Sequence, residues 1–110
     1  MIEKIILDYL LDQKLTAYME QPAVKPDTFY LIEKTAGSQT DKINTSTIVI
    51  QSYADTLYNA AIMNEAIKAV MADAIELDAI SRVELSSDYN YTDPTTKQYR
   101  YQAVFVVTHY

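Results

Sequence analysis

The stretch Ile43–Ala54 reads INTSTIVIQSYA, and its alternation decides the fold. Ile43, Thr45, Thr47, Val49, Gln51 and Tyr53 fall on one side of an extended chain, and Asn44, Ser46, Ile48, Ile50, Ser52 and Ala54 on the other. The two sets differ only partly in polarity, which predicts a central strand whose middle is buried on both faces. Just before it, Thr28–Thr35 reads TFYLIEKT, a β-branched and aromatic run bounded by Pro26 and by Ala36-Gly37-Ser38, and this predicts a second strand. The residues between the two, Lys34 to Ile43, read as a loop. In it Gly37 serves as a turn residue suited to positive φ.

After the central strand the period changes. Leu57, Ala60, Ala61, Asn64, Ile67, Val70, Met71 and Ala74 follow a helical repeat, predicting a helix from Asp55 to about Ile75. Either Asp55 caps it, or Ser52 caps it one turn earlier with Asp55 at the third helical position. An amphipathic helix is also predicted for Ile2 to Gln13 from the spacing of Ile2, Ile5, Ile6, Tyr9 and Leu10. A short strand over Leu15 to Glu20 follows, and Pro22 and Pro26 then enforce extended chain.

Beyond Asp78 the period returns to two. Ile80, Arg82, Glu84 and Ser86 oppose Ser81, Val83, Leu85 and Ser87, with Tyr89-Asn90-Tyr91 continuing the strand. Tyr99, Tyr101, Ala103, Phe105 and Val107 face away from Arg100, Gln102, Val104 and Val106, and Thr92 to Thr96 is a turn sequence. A long antiparallel hairpin is predicted here, with its polar tip reaching beyond the helices. The order α-β-β-β-α-β-β predicts one α+β domain over residues 1–110. It is a mainly antiparallel sheet of four to five strands with two helices packed on one face. Ile67 and Val70 belong to the predicted core.

The 110 residues suit a single core, and the absence of cysteine leaves stability to packing or oligomerisation. The longest apolar stretch near the start, Ile5-Ile6-Leu7, ends at Asp8, far short of the roughly 20 residues of a membrane span, so no membrane association is expected. Fifteen acids against nine scattered bases argue against gripping nucleic acid through phosphate contacts, which needs clustered Lys and Arg. Ten tyrosines beside a single glycine point to sheet structure and to protein interfaces.

Catalytic chemistry finds little support. The only histidine, His109, sits next to the C-terminal residue, where fraying predicts solvated chain instead of a general base. Asp73, Glu76 and Asp78 form an acidic helix end without a calcium-loop spacing, and read as a solvated face. One glycine cannot build a phosphate loop. No cofactor and no metal are expected, and a small enzyme ranks last among the readings.

Three segments resemble the tail-completion, or tail-terminator, proteins of long-tailed bacteriophages and Gram-positive prophages. They are Phe29-Tyr30-Leu31-Ile32-Glu33-Lys34-Thr35 with Gly37 after it, Ile50-Gln51-Ser52-Tyr53-Ala54 leading into the long helix, and the hairpin from Ser87-Asp88-Tyr89-Asn90 to Gln98-Tyr99-Arg100-Tyr101. The resemblance implies an α+β subunit that forms a ring, typically a hexamer, at the head-proximal end of the tail tube. The ring stops tube growth and offers a docking surface to the filled head and to neck proteins. The protein would be assembled in the host cytoplasm and reside in the virion. DNA would pass through the lumen without specific binding, a passage that an acidic wall favours.

A tail terminator and a neighbouring head-completion protein of the neck both fit this pattern. The competing class is an acidic, monomeric binding module that inhibits a host protein. In the assembly reading, Tyr89, Tyr91, Tyr99 and Tyr101, exposed on the projecting hairpin, form the contact surface together with the loop around Gly37.

Overall fold

The computed structural model describes residues 1–96 and 98–110. Helix α1 (Ile2–Asp12) leads into a two-residue strand β1 (Ala17–Tyr18), then into β2 (Phe29–Thr40) and β3 (Ile43–Ala54). Helix α2 (Leu57–Ala72) and a 3-10 turn (Asp73–Glu76) connect to β4 (Ile80–Asn90) and β5 (Tyr99–His109). The five strands form one sheet in the order β1-β2-β3-β5-β4, antiparallel except for the parallel β1–β2 pair. The predicted α+β architecture is therefore present, with extents of 44 × 25 × 25 Å.

Both helices lie on one face. From α1, Ile2, Ile6 and Leu10 are buried, and from α2, Ala60, Asn64, Ile67 and Met71. They meet Tyr30, Ile32, Ile48, Ile50, Ala103, Phe105 and Val107 of the sheet in one apolar cluster. Each fully buried Ile or Leu there contributes about 1.5–3 kcal/mol relative to exposure. Ile67 is at the centre, as predicted, whereas Val70 is only partly buried. Ile48 to Tyr53 is buried without a break, which is the two-sided burial expected of β3.

Several boundaries move. Thr56, not Asp55 or Ser52, caps α2, its hydroxyl accepting from the Asn59 backbone N–H at 3.1 Å. The segment Lys34 to Ile43 is not a loop. Strand β2 runs on to Thr40 and turns through Asp41 and Lys42, both at positive φ (52° and 67°), the two-residue geometry that matches strand twist. Gly37 lies inside β2 opposite Ser46 and is not at positive φ, so no turn requires it.

The β4–β5 hairpin does not stand clear of the body either. Strand β5 lies inside the sheet, paired with β3 from Asn44↔His109 to Ala54↔Tyr99, and only its connecting turn reaches past that register. Residue Lys97 of that turn lies outside the described residues.

Register shifts occur only where the outermost long strands meet the interior. One falls between Lys34 and Ala36 of β2, and two fall in β4, between Ile80 and Arg82 and between Leu85 and Ser87. Each β4 shift flips the alternation, so Ile80 and Val83 both join the helix-side cluster, contrary to the strict alternation expected. Bulged edges resist pairing with another sheet.

Candidate assembly surface

Among the described residues, the other face of the sheet carries no helix. Its apolar part is a small cluster of Phe29, Leu31 and Tyr53, with Tyr18 packed against it. Phe29 and Tyr53 stack with ring centroids 4.6 Å apart and planes 6° from parallel, and Tyr18 meets Phe29 edge-on at 5.9 Å. Antiparallel register places these residues in rows. Phe29 pairs with Tyr53 and Tyr53 with Arg100; in the next row Leu31 pairs with Gln51, Gln51 with Gln102, and Gln102 with Tyr89.

Hydrogen bonds join the rows into a lattice. The Tyr53 hydroxyl donates to Gln51 Oε1 (2.7 Å) and accepts from Gln21 Nε2 (3.0 Å) and Arg100 Nη1 (3.1 Å). Gln51 Nε2 donates to Gln102 Oε1 (2.9 Å), and Gln102 Nε2 donates to the Tyr89 hydroxyl. Arg100 lies across Tyr91, 4.6 Å from the ring centroid, and its Nε donates to the Tyr91 carbonyl at 2.7 Å. Tyr91 in turn meets Tyr89 edge-on at 6.0 Å. Among the described residues Arg100 has no carboxylate partner. Aromatic faces and neutral acceptors hold its charge.

A cleft of about 510 Å³ opens beside this lattice, with Tyr53, Tyr91 and Arg100 among its lining and the carboxylates Glu20 and Glu33 on it as well. Rigid tyrosines, an arginine fixed by stacking, and amides with spare hydrogen-bonding capacity are the groups that concentrate binding energy at protein interfaces.

The five residues singled out in the sequence separate. Tyr89 and Tyr91 are exposed and share the open face. Tyr99 and Tyr101 alternate with Arg100 and Gln102, so they point to the helix side, and both are half-buried instead of exposed. Gly37 also lies on the helix side, near the opposite end of the sheet, opposite Ser46. Sequence reading missed Arg100, Gln102, Gln51 and Tyr53 as site residues. The available signal was a long polar side chain at alternate positions of β5, next to the valines Val104 and Val106, which is unusual for an interior strand.

His109 is not frayed chain. It ends β5, is buried, and its Nε2 lies 2.8 Å from the hydroxyl of Ser46, which is 1% exposed. Asp73 and Glu76 are exposed on the 3-10 turn, and among the described residues no group of three or more His, Asp or Glu side chains converges on a metal position. No helix among them is long and apolar enough to cross a membrane. No protein-family model matches this sequence, and no curated protein matches it.

Proposed function

We propose that the chain is a structural subunit of tail completion or head–tail joining in a long-tailed phage or prophage. It self-associates into a ring at the head-proximal end of the tail and meets tube and neck proteins through the open sheet face. The observation that carries this reading is the Tyr53–Arg100–Tyr91 lattice: a preorganised, aromatic, hydrogen-bonding surface without a helix over it. The three resembling segments support it, since all three supply this surface: Phe29 and Leu31 from the first, Gln51 and Tyr53 from the second, Tyr89 and Arg100 from the third. Acidic net charge supports it further, because DNA must slide past such a ring without adhering.

The test is a tail-assembly assay with the double variant Tyr89→Ala, Tyr91→Ala and, for comparison, Tyr99→Ala, each first shown to be folded. The double variant is expected to lose tail termination and head joining, while Tyr99→Ala retains both. Wild-type yield of joined particles from the double variant would remove the open face from consideration as the assembly surface.

A further inference from the structure

At the end of the sheet away from the lattice, the helix-side face of the β2–β3 hairpin closes against the last residue of β5. The cleft between them, about 360 Å³, is lined by Lys34, Ser38, Asn44, Ser46 and His109, with Gln39 and Gly37 completing it. Among the described residues no carboxylate side chain lines it, in a chain whose acids outnumber its bases fifteen to nine. Lys34 is placed by the chain's single glycine. A Cβ at Gly37 would stand 2.9 Å from Lys34 Cε, 3.1 Å from its Nζ and 3.8 Å from Ser46 Oγ, so the ammonium group lies over the glycine. Among the described residues this ammonium has no ion-pair partner.

We infer that this cleft binds a small oxyanion of the phosphate class, held by the Lys34 ammonium, the Ser46 hydroxyl, the Asn44 amide and His109. Lysine supplies a point charge to such an anion and the hydroxyl and amide supply directed donors. His109 adds a second charge on demand. When neutral it exchanges a single hydrogen bond with Ser46; when protonated, its Nε2–H donates to Ser46 Oγ, which frees the Ser46 O–H to donate into the cleft.

Burial first, then the charges of Lys34 and the Met1 amine, hold His109 below its ordinary pKa, while a backbone hydrogen bond with Tyr110 and the carboxylate of Glu3 pull it upward. From the elements around it, then, β2 presents Lys34 and α1 presents Glu3 and the amino end. An anion seated between Lys34 and His109 favours the protonated ring. Binding must therefore raise the His109 pKa, and by reciprocity must tighten as pH falls through it.

Because His109 is the only histidine, its ring resonances report the site without assignment ambiguity. The experiment is an NMR pH titration of His109 in inorganic phosphate, against chloride at matched ionic strength to remove screening. Phosphate is expected to move the titration midpoint upward saturably. Lys34→Met, at an exposed position that the fold tolerates, should weaken the apparent affinity about tenfold or more. Gly37→Ala keeps the charge but pushes it off the strand, and should weaken binding as well. A midpoint that is the same in phosphate and chloride overturns the proposal. So does a phosphate-induced shift equally large in Lys34→Met, or wild-type affinity in Gly37→Ala.

Discussion

The two faces of the sheet are drawn from the same strands, residue by alternate residue, and they solve opposite problems. On the covered face Ile32, Ile48, Ile50, Phe105 and Val107 pack under both helices with almost no water contact, and stability is the result. On the open face Gln51, Tyr53, Arg100 and Gln102 occupy the equivalent interior positions of the same central strands. There the rings stack and the polar ends bond to one another instead of to water. In the proposed assembly role such a surface would be ordered before a partner arrives, so little side-chain entropy would be lost on contact. The difference shows that one pair of strands carries an apolar core on one side and a hydrogen-bonded aromatic lattice on the other, fully buried in β3 and half-buried in β5.

The comparison breaks most severely on the covered face. Ile67→Asp places a carboxylate where the side chain is 0% exposed and should cost more than about 4 kcal/mol, a large part of the roughly 5–15 kcal/mol holding a domain together. Thermal unfolding and circular dichroism are expected to show a largely unfolded chain, and an unchanged midpoint would place α2 on the wrong face. The open face should respond far less. Tyr53→Phe removes the hydroxyl at which Gln21, Gln51 and Arg100 meet, but Gln21 is exposed and Arg100 half-buried, and Gln51 keeps its bond to Gln102, so the expected loss is about 1 kcal/mol, or roughly 3–6 °C in Tm. A loss comparable to that of Ile67→Asp would mean that the lattice is part of the core, and the contrast between the faces would fail.

Much of this architecture was legible in the sequence because it rests on local periodicity. The helical spacing of Ile2, Ile6 and Leu10, the unbroken apolar middle of β3 and the alternation along β5 all survive in the structure. What stayed hidden depends on register between distant segments. Nothing local to β4 announces that Ser81 and Ser86 are extra residues, so the shared face of Ile80 and Val83 was invisible. Asp41-Lys42 lacks the glycine that usually marks a two-residue hairpin turn, while Gly37 nearby offered a false turn signal. The true reason for Gly37 is the Lys34 side chain lying across it, a contact between residues on one strand that only the bulge between them creates. The tyrosines stood out by number, but which of them share a face follows from the pairing of Asn90 with Tyr101, not from composition.

The unbroken β3–β5 ladder also has a consequence in time. Hairpin β2–β3 closes over two residues and β4–β5 over eight, events of microseconds, whereas β3 and β5 are separated in the chain by α2 and the whole of β4. Their joining must wait for that long excursion to be closed entropically, so the docking of two preformed hairpins limits the rate of folding. Stopped-flow refolding should therefore slow when the ladder is weakened by Val49→Ala or Phe105→Ala, and respond little to Asp41→Gly in the β2–β3 turn. If the turn variant instead changes the refolding rate as much as the ladder variants do, hairpin closure is the slow event, and the order of assembly is reversed.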